Sequence, residues 1–469
     1  MKKIDLKELA DLTSVSSKDK VLGYNPTAKK FGYVGLSTII NEGYACRRWD
    51  VTKSTTVGEP YGNIDYLRNL PSLLALGCYL VDNNHGRRKL DPTNHYKFAT
   101  GETARLDGSM GHYMWGWGVK WYYAFWDEGN YHYEAASLKP IPGRYNYEIP
   151  VASTSALGVS VVDRESLKLV SYINDSAQYR GGTNDESLDG SFNSYLGMAA
   201  TNLTAEEYGS YARKNGEGWE AYWYTMAACV GILIRIIHGE RNAQKSFNAN
   251  KDSNGLYQGG FGAGVTGGWP TSFKERPFLK TNVGVSLADS CGVQQVEVRN
   301  SGGSVEKTYN VPCFFGLKNF FGYLGRWERG CLINKISGGA GDVYVVPKMH
   351  SSYNMNSLSG LKKVSTVPAC AVANQWEFIQ KISMNNLCHK PTLTGSPATE
   401  STYYADAFYN DNASSGLRVP CLGGNAVYGG SVGPECLSVS FVVSARYAHV
   451  GSPLCESEEN WSSEPFLAI

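Results

Sequence analysis

Apolar side chains recur along this chain with two periods, and the switches between them set the expected elements. Between residues 219 and 238, Trp219, Tyr222, Trp223, Met226, Ala227, Val230, Leu233, Ile234 and Ile237 fall at spacings of three and four. That spacing lines one broad face of an α-helix, and Gly239 directly after His238 supplies a C-terminal stop. A stripe this wide predicts a helix packed across a sheet, with a structural role. Thr204-Ala205-Glu206-Glu207 has the form of a capping box, so a shorter helix is predicted over 204–214. The run from His112 to Trp126 is too aromatic for a surface helix and reads as sheet and core. Residues 70–81 read as a buried helix or strand. Asp342–Val346 and Leu437–Val443 read as short strands, and residues 2–12 as a short amphipathic helix.

The composition sharpens this picture. With 52 Gly, 31 Tyr and 11 Trp but only 19% charged residues, the chain is suited to tight turns and short strands, and long helices should be few. Lys and Arg number 44 against 43 Asp and Glu, so there is no overall field to draw in nucleic acid or an anionic membrane. No apolar run reaches the length of a membrane span, which excludes helical membrane insertion. Charges interrupt Met1–Leu9 where a secretory leader would need an apolar core, so synthesis in a cytoplasm is expected. The 11 cysteines include no CxxC pair and read as buried apolar thiols. Cys436 and Cys455 could pair in an oxidising medium. No tandem repeat of 20 to 50 residues is present, which argues against propellers and solenoids.

Several motifs invite chemistry and lose it on inspection. Gly262–Gly267 fits GxGxxG but has no strand before it and no helix after it. Asn250–Gly255 resembles half of a calcium loop, yet position twelve falls on Phe261 where a bidentate Glu is required; an Asx-type turn is the better reading. The eight His residues form no chelating pair, and His238 is expected to favour the negative end of a helix dipole. Neither a metal nor another cofactor is therefore expected, and no catalytic residue is assigned. A glycan hydrolase would need two carboxylates in one cleft, for which Asp127, Glu128, Glu206 and Glu207 are candidates, equally explained as caps and turns.

Residues 415–455 behave differently. Glycine and alanine recur as a framework between side chains of every chemical type, whereas a core strand keeps one polarity per face. Such a pattern suits a displayed binding surface.

This segment, closing on Gly451-Ser452-Pro453-Leu454-Cys455, resembles the variable region of proteins diversified by diversity-generating retroelements, found in phage tail proteins and bacterial surface adhesins. Phe315–Trp327 is similar to the Gly-Asn-x-Trp segment of C-type-lectin-like folds in the formylglycine-generating-enzyme branch, with Tyr323 where that pattern has Asn. Residues 211–219 and 239–244 resemble the central helical segment of phage tail proteins of this fold, especially those of gut-bacterial phages. The resemblance covers roughly residues 100–460.

It implies a β-rich, irregular α+β C-type-lectin-like fold with few helices. The organisation expected is a docking arm at 1–40, a β-rich connecting region at 41–99 and the lectin-like domain at 100–469. The ligand-binding positions implied are Asn425, Val427, Tyr428, Ser431, Val432, Glu435, Leu437, Ser438, Arg446, Tyr447 and His449. The function implied is host recognition at the tip of a phage tail or fibre, displayed on a homotrimer in the virion or alternatively on a bacterial surface. The partners implied are a host surface protein or glycan, with other tail proteins held through the N-terminal arm. The alternatives are a structural tail or baseplate subunit, a glycan hydrolase, or an oxidase of the formylglycine-generating type. The oxidase would need a close cysteine pair for copper, for which Cys291 and Cys313 are the candidates.

Overall fold

A computed structural model of the protein describes residues 20–25, 30–35, 43–174, 176, 178–180, 199–248, 250–253, 255–257, 284–299, 304–336, 338–396, 399, 402–412, 415–426, 428–447 and 449–469. The expected helix at 2–12, the Gly262–Gly267 motif and Val427 lie outside these residues. The described part is a β-rich α+β structure of many short strands, with helices α1 (Ile64–Leu73), α2 (Ala205–Arg213), α3 (Tyr224–His238) and α4 (Ala243–Phe247).

Three large sheets carry the fold. The first runs, in spatial order, Trp219–Ala221, Leu454–Ser457, Ala152–Ser155, His112–Trp117, Gly77–Val81, Arg87–Asp91 and Asn94–Phe98. Its middle strand buries every side chain, with Trp115 and Trp117 fully enclosed, as the aromatic run predicted. The second sheet is ordered Phe466–Leu467, Tyr145–Ile149, Trp121–Glu128, Tyr131–Ser137, Ala45–Asp50 and Glu59–Gly62. The third is ordered Lys390–Gly395, Trp376–Ser383, Ala407–Tyr409, Leu437–Ser438, Cys421–Leu422, Gly325–Trp327 and Val450–Gly451.

The boundary expected at residue 100 is corrected by the first sheet. Cys78 faces Trp115 and Gly77 faces Gly116 in antiparallel register, so the 77–98 strands extend the same sheet as 112–117. One apolar cluster runs from Ala45 to Trp461, which leaves residues 45–99 no core of their own.

Helix α3 occupies the centre. Twelve of its fifteen residues are buried, and it touches α1 and the strands Ala45–Asp50, Tyr131–Ser137 and Ala152–Ser155. A helix apolar on nearly every side is stable only when enclosed, and each large side chain removed from water contributes roughly 1.5–3 kcal/mol. It begins at Tyr224 rather than at 219, because Trp219–Ala221 pairs with Leu454–Glu456 as an edge strand; Trp219 continues the helical spacing without belonging to the helix. Gly239 ends it in the left-handed region at φ 71°, as the stop signal predicted.

The other local expectations divide similarly. Helix α2 carries the full capping box, with the Glu207 backbone donating to the Thr204 hydroxyl and the Thr204 backbone donating to the Glu207 carboxylate. Residues 70–81 prove to be both alternatives in turn, the end of α1 followed by Gly77–Val81. The Asp342–Val346 expectation is met by Gly341–Val345. The strand expected over Leu437–Val443 stops at Ser438.

Candidate ligand-binding surface

The C-terminal segment is held from beneath by groups that the sequence reading did not connect. Arg235, on α3 and buried, donates through Nη1 to Glu435 Oε1 at 2.6 Å and through Nε to Glu134 Oε1 at 2.9 Å. Gln244 of α4 donates to the Gly430 carbonyl at 2.8 Å, and the Glu435 amide donates to the buried Asp406 carboxylate at 2.8 Å. On the other side, Ala426 donates to the Tyr323 carbonyl at 3.2 Å and Gly322 to the Gly423 carbonyl at 2.8 Å. The segments 315–327 and 423–426 are therefore direct neighbours. The described residues of 423–436 are thus tied at both ends and from below.

Electrostatics reinforce the floor. Burial would raise the Glu134 carboxyl, but the charge and hydrogen bonds of Arg235 bring it down to about 2. Glu435 is half-buried and is held below the ordinary carboxylate range by His389 and Arg235, against desolvation. Among the described residues no cation is a leading influence on Asp406, and burial pushes its carboxyl well above its usual value. The carboxylate of Glu435 beside it acts in the same direction.

The implied ligand positions separate into two groups. Tyr428 and Tyr447 are exposed at 41% and 39%, and Arg446 is exposed while donating to Glu207 at 3.1 Å. Ser431 and His449 are half-buried. Asn425, Val432, Leu437 and Ser438 are buried, and Glu435 spends its carboxylate on Arg235. Those five are corrected from ligand contacts to scaffold. Leu437 pairs with Phe408 and Leu422, and Ser438 with Tyr409 and Cys421, in the interior of the third sheet. Val432 packs with Ala407 and Cys436.

Around the exposed residues stand two groups of rings. Trp376 lies between Tyr409, at 5.0 Å between centroids, and Tyr428, at 5.1 Å, tilted 43° and 54° to them. Trp376 and Tyr409 are half-buried members of adjacent strands. Neither was singled out from sequence, since each sits far along the chain from 415–455 and only strand pairing brings them to Tyr428. The second group joins Phe441 and His449 through Tyr447, which lies 5.1 Å from each. Beside it runs a groove of about 430 Å³ lined by Thr204, Glu206, Tyr353, Met355, Val443 and Ser444. A second groove of about 420 Å³ shares Tyr353 and is flanked by Arg213, Glu220 and His350.

The carboxylates considered for hydrolysis are occupied. Arg213, Glu206, Arg329 and Glu220 close a ring of alternating charge, with contacts of 2.9, 2.7, 3.0 and 2.9 Å. Glu206 lies below its ordinary range despite partial burial, because the two arginines outweigh desolvation. Asp127 is bound to His132 at 2.7 Å, and that hydrogen bond lowers it. Glu128 pairs with Arg144 at 3.3 Å, and Glu207 caps α2. A general acid needs a raised carboxyl, and neither Glu206 nor Asp127 offers one.

The two thiols considered for copper do not favour it, and a close buried pair is instead Cys331 and Cys388, 3.8 Å apart. Ten of the eleven cysteines are buried, as expected of apolar thiols, and Cys291 is half-buried. Cys291 lies 3.5 Å from His238 Nε2, and burial raises both it and Cys313, the opposite of what a metal-binding thiolate requires. Burial also lowers His238, to about 4, so it ends α3 as a neutral ring; the charge expected there to favour the helix dipole is corrected. Cys436 and Cys455 are free thiols; Cys455 donates to Thr154 at 3.3 Å while Cys436 packs in a separate cluster.

Cys78, His95 and Asp289 place one donor atom each within 4.8 Å of one another. The set does not fit a metal. The fully buried Lys318 ammonium stands beside them, donating to Tyr113 at 3.0 Å and to the Gly316 carbonyl at 2.7 Å. Both His95 nitrogens are engaged, with Tyr113 at 2.5 Å and Asp289 at 2.9 Å, and burial keeps the Cys78 thiol protonated. These groups satisfy one another. In the segment with the calcium-loop resemblance, the Leu256 amide donates to Asp252 Oδ1 at 2.9 Å, four residues back, and the Asx-type contact is instead Asn250 N–H to Asn248 Oδ1 at 2.9 Å.

No described helix is long and apolar enough to cross a membrane. No family model matches the chain, and no curated protein is similar to it.

Proposed function

We propose that this chain is a receptor-binding protein of a phage tail or fibre, with a C-type-lectin-like fold, that recognises a bacterial surface through its C-terminal segment. The observation that carries the reading is the contrast within 425–449. Tyr428, Arg446 and Tyr447 reach solvent, while Asn425, Val432, Leu437 and Ser438 are buried beneath them and the half-buried Glu435 is tied to Arg235. Loops fixed in advance lose little conformational freedom on binding, and exposed Tyr and Arg are the side chains that most often dominate an interface. Several copies on one particle, as on a trimer, would multiply a weak single contact through effective concentration.

The test is adhesion of the purified full chain to a panel of gut-bacterial strains, with Tyr428, Arg446 and Tyr447 replaced as a set. Altered strain preference at an unchanged melting temperature is the expected result. An unchanged strain profile, or adhesion to none of the strains, overturns the reading and leaves the structural tail subunit in its place.

A further inference from the structure

We infer that Trp376, Tyr409 and Tyr428 form a subsite for one pyranose ring of a neutral glycan. The inference rests on the receptor-binding reading and assigns its ligand class to a site built mainly from residues outside the C-terminal segment.

The geometry selects a saturated ring. Trp376 is flanked by Tyr409 and Tyr428 at centroid distances of 5.0 and 5.1 Å, but inclined to them by 43° and 54°. Parallel rings would leave a flat slot suited to a planar aromatic or a base. Rings inclined in this way offer no flat slot, and a shallow cup between them would suit the puckered C–H face of a sugar. The negative faces of the aromatic rings attract the weakly positive C–H bonds, while phenol hydroxyls at the edge can meet sugar hydroxyls.

The rim selects against charge. The Tyr409 hydroxyl donates to Asn374 Oδ1 at 3.5 Å, and exposed Gln375 and half-buried Ser431 adjoin the rings in sequence. Asp411 is the nearby charge that acts on Tyr409, and it is already paired with Lys335. No described cation is in contact with these three rings, so a phosphate or carboxylate would find no partner here. The size selects against a protein partner. A stable protein interface needs about 800 Å² on each side, far more than three partly buried rings present.

The support beneath Tyr428 gives the cup a fixed shape. Gly430 is tied to Gln244 at 2.8 Å and Glu435 to Arg235 at 2.6 Å, so the loop carrying Tyr428 has no slack to close on a ligand and must present the ring ready-formed.

The experiment measures adhesion of the full chain to the strain panel before and after periodate treatment of the cells, together with retention on a printed array of bacterial capsular and O-antigen polysaccharides. Tyr428→Phe and Tyr428→Leu are compared, because Tyr428 is exposed and the first variant keeps the ring while the second keeps only an apolar side chain. We expect periodate to abolish adhesion, Tyr428→Phe to bind within about threefold of the natural chain, and Tyr428→Leu to bind about tenfold more weakly to the retained polysaccharide. Trp376→Leu should act in the same direction. Adhesion that survives periodate, or Tyr428→Leu binding as well as the natural chain, overturns the glycan subsite and leaves the receptor reading intact. Adhesion of the natural chain to no strain overturns both.

Discussion

Arg235 and Glu435 stand 200 residues apart in the chain and meet at 2.6 Å beneath the C-terminal loop. Arg235 is 2% exposed and also grips Glu134, so one guanidinium ties the central helix to the second sheet and to the loop that carries Tyr428. The buried Glu134 and half-buried Glu435 carboxylates depend on it. Breaking a buried pair by removing one partner leaves an uncompensated charge, at a cost of about 3–5 kcal/mol. Arg235→Met should therefore lower unfolding stability by that amount in denaturant titration. In amide exchange, protection should fall first at 425–436, because the loop loses its floor before the sheets lose theirs.

Gly231 is the position that lets Glu435 reach the helix. A Cβ there would lie 2.3 Å from Glu435 Oε1 and 3.0 Å from Arg235 Nη1. Alanine ordinarily favours a helix over glycine by about 1 kcal/mol. At this site the close approach reverses the sign, and Gly231→Ala should destabilise the fold. A melting temperature raised by Gly231→Ala would show that Glu435 does not pack against this turn of α3.

The buried carboxyls predict opposite pH limbs. Glu134 is held at about 2 in the fold against an ordinary 4.5, so it binds fewer protons folded than unfolded between those values. Its contribution is present above pH 4.5 and is lost as pH falls toward 2. Asp406 is displaced upward by burial, so its contribution is present at low pH and is lost as pH rises above its ordinary 3.8. Asp406→Asn keeps an acceptor for the Glu435 amide and removes the titration. It should raise stability at pH 7 and flatten the neutral side of the profile, leaving the acid limb in place. Denaturation midpoints from pH 3 to 8 check both limbs.

What could be read ahead of the structure was whatever is local. The capping box at Thr204, the stop at Gly239 and the aromatic strands around Trp115 and Trp121 each depend on neighbours within a few residues. Trp219 deceived because its spacing of three from Tyr222 continues the helical pattern, and only its pairing with Glu456 shows that it belongs to a strand. The 415–455 segment was legible as mixed in chemistry but not in direction. Burial of Leu437 depends on Phe408, and the neighbours of Tyr428 include Trp376, which no pattern in the segment itself names. The Arg235 network was invisible for the same reason, since its carboxylates come from residues 101 and 200 positions away.

The division of the C-terminal positions into frame and surface is measurable without any ligand. Alanine at Leu437, which is fully buried in the third sheet, should cost about 2–5 kcal/mol through lost burial and the cavity left behind. Val432→Ala is a smaller truncation in a smaller cluster and should cost less, about 1–2 kcal/mol. Alanine at Tyr428 or Tyr447 removes rings that are 41% and 39% exposed, and should fall well below the Leu437 value. Arg446→Ala also gives up the contact with Glu207, but both side chains are partly exposed, at 51% and 33%, and such pairs contribute at most about 1 kcal/mol. Chemical denaturation of the five single variants orders them. If Arg446→Ala or Tyr447→Ala proves as costly as Leu437→Ala, those side chains belong to the frame, and the surface available for recognition shrinks to the cup around Trp376.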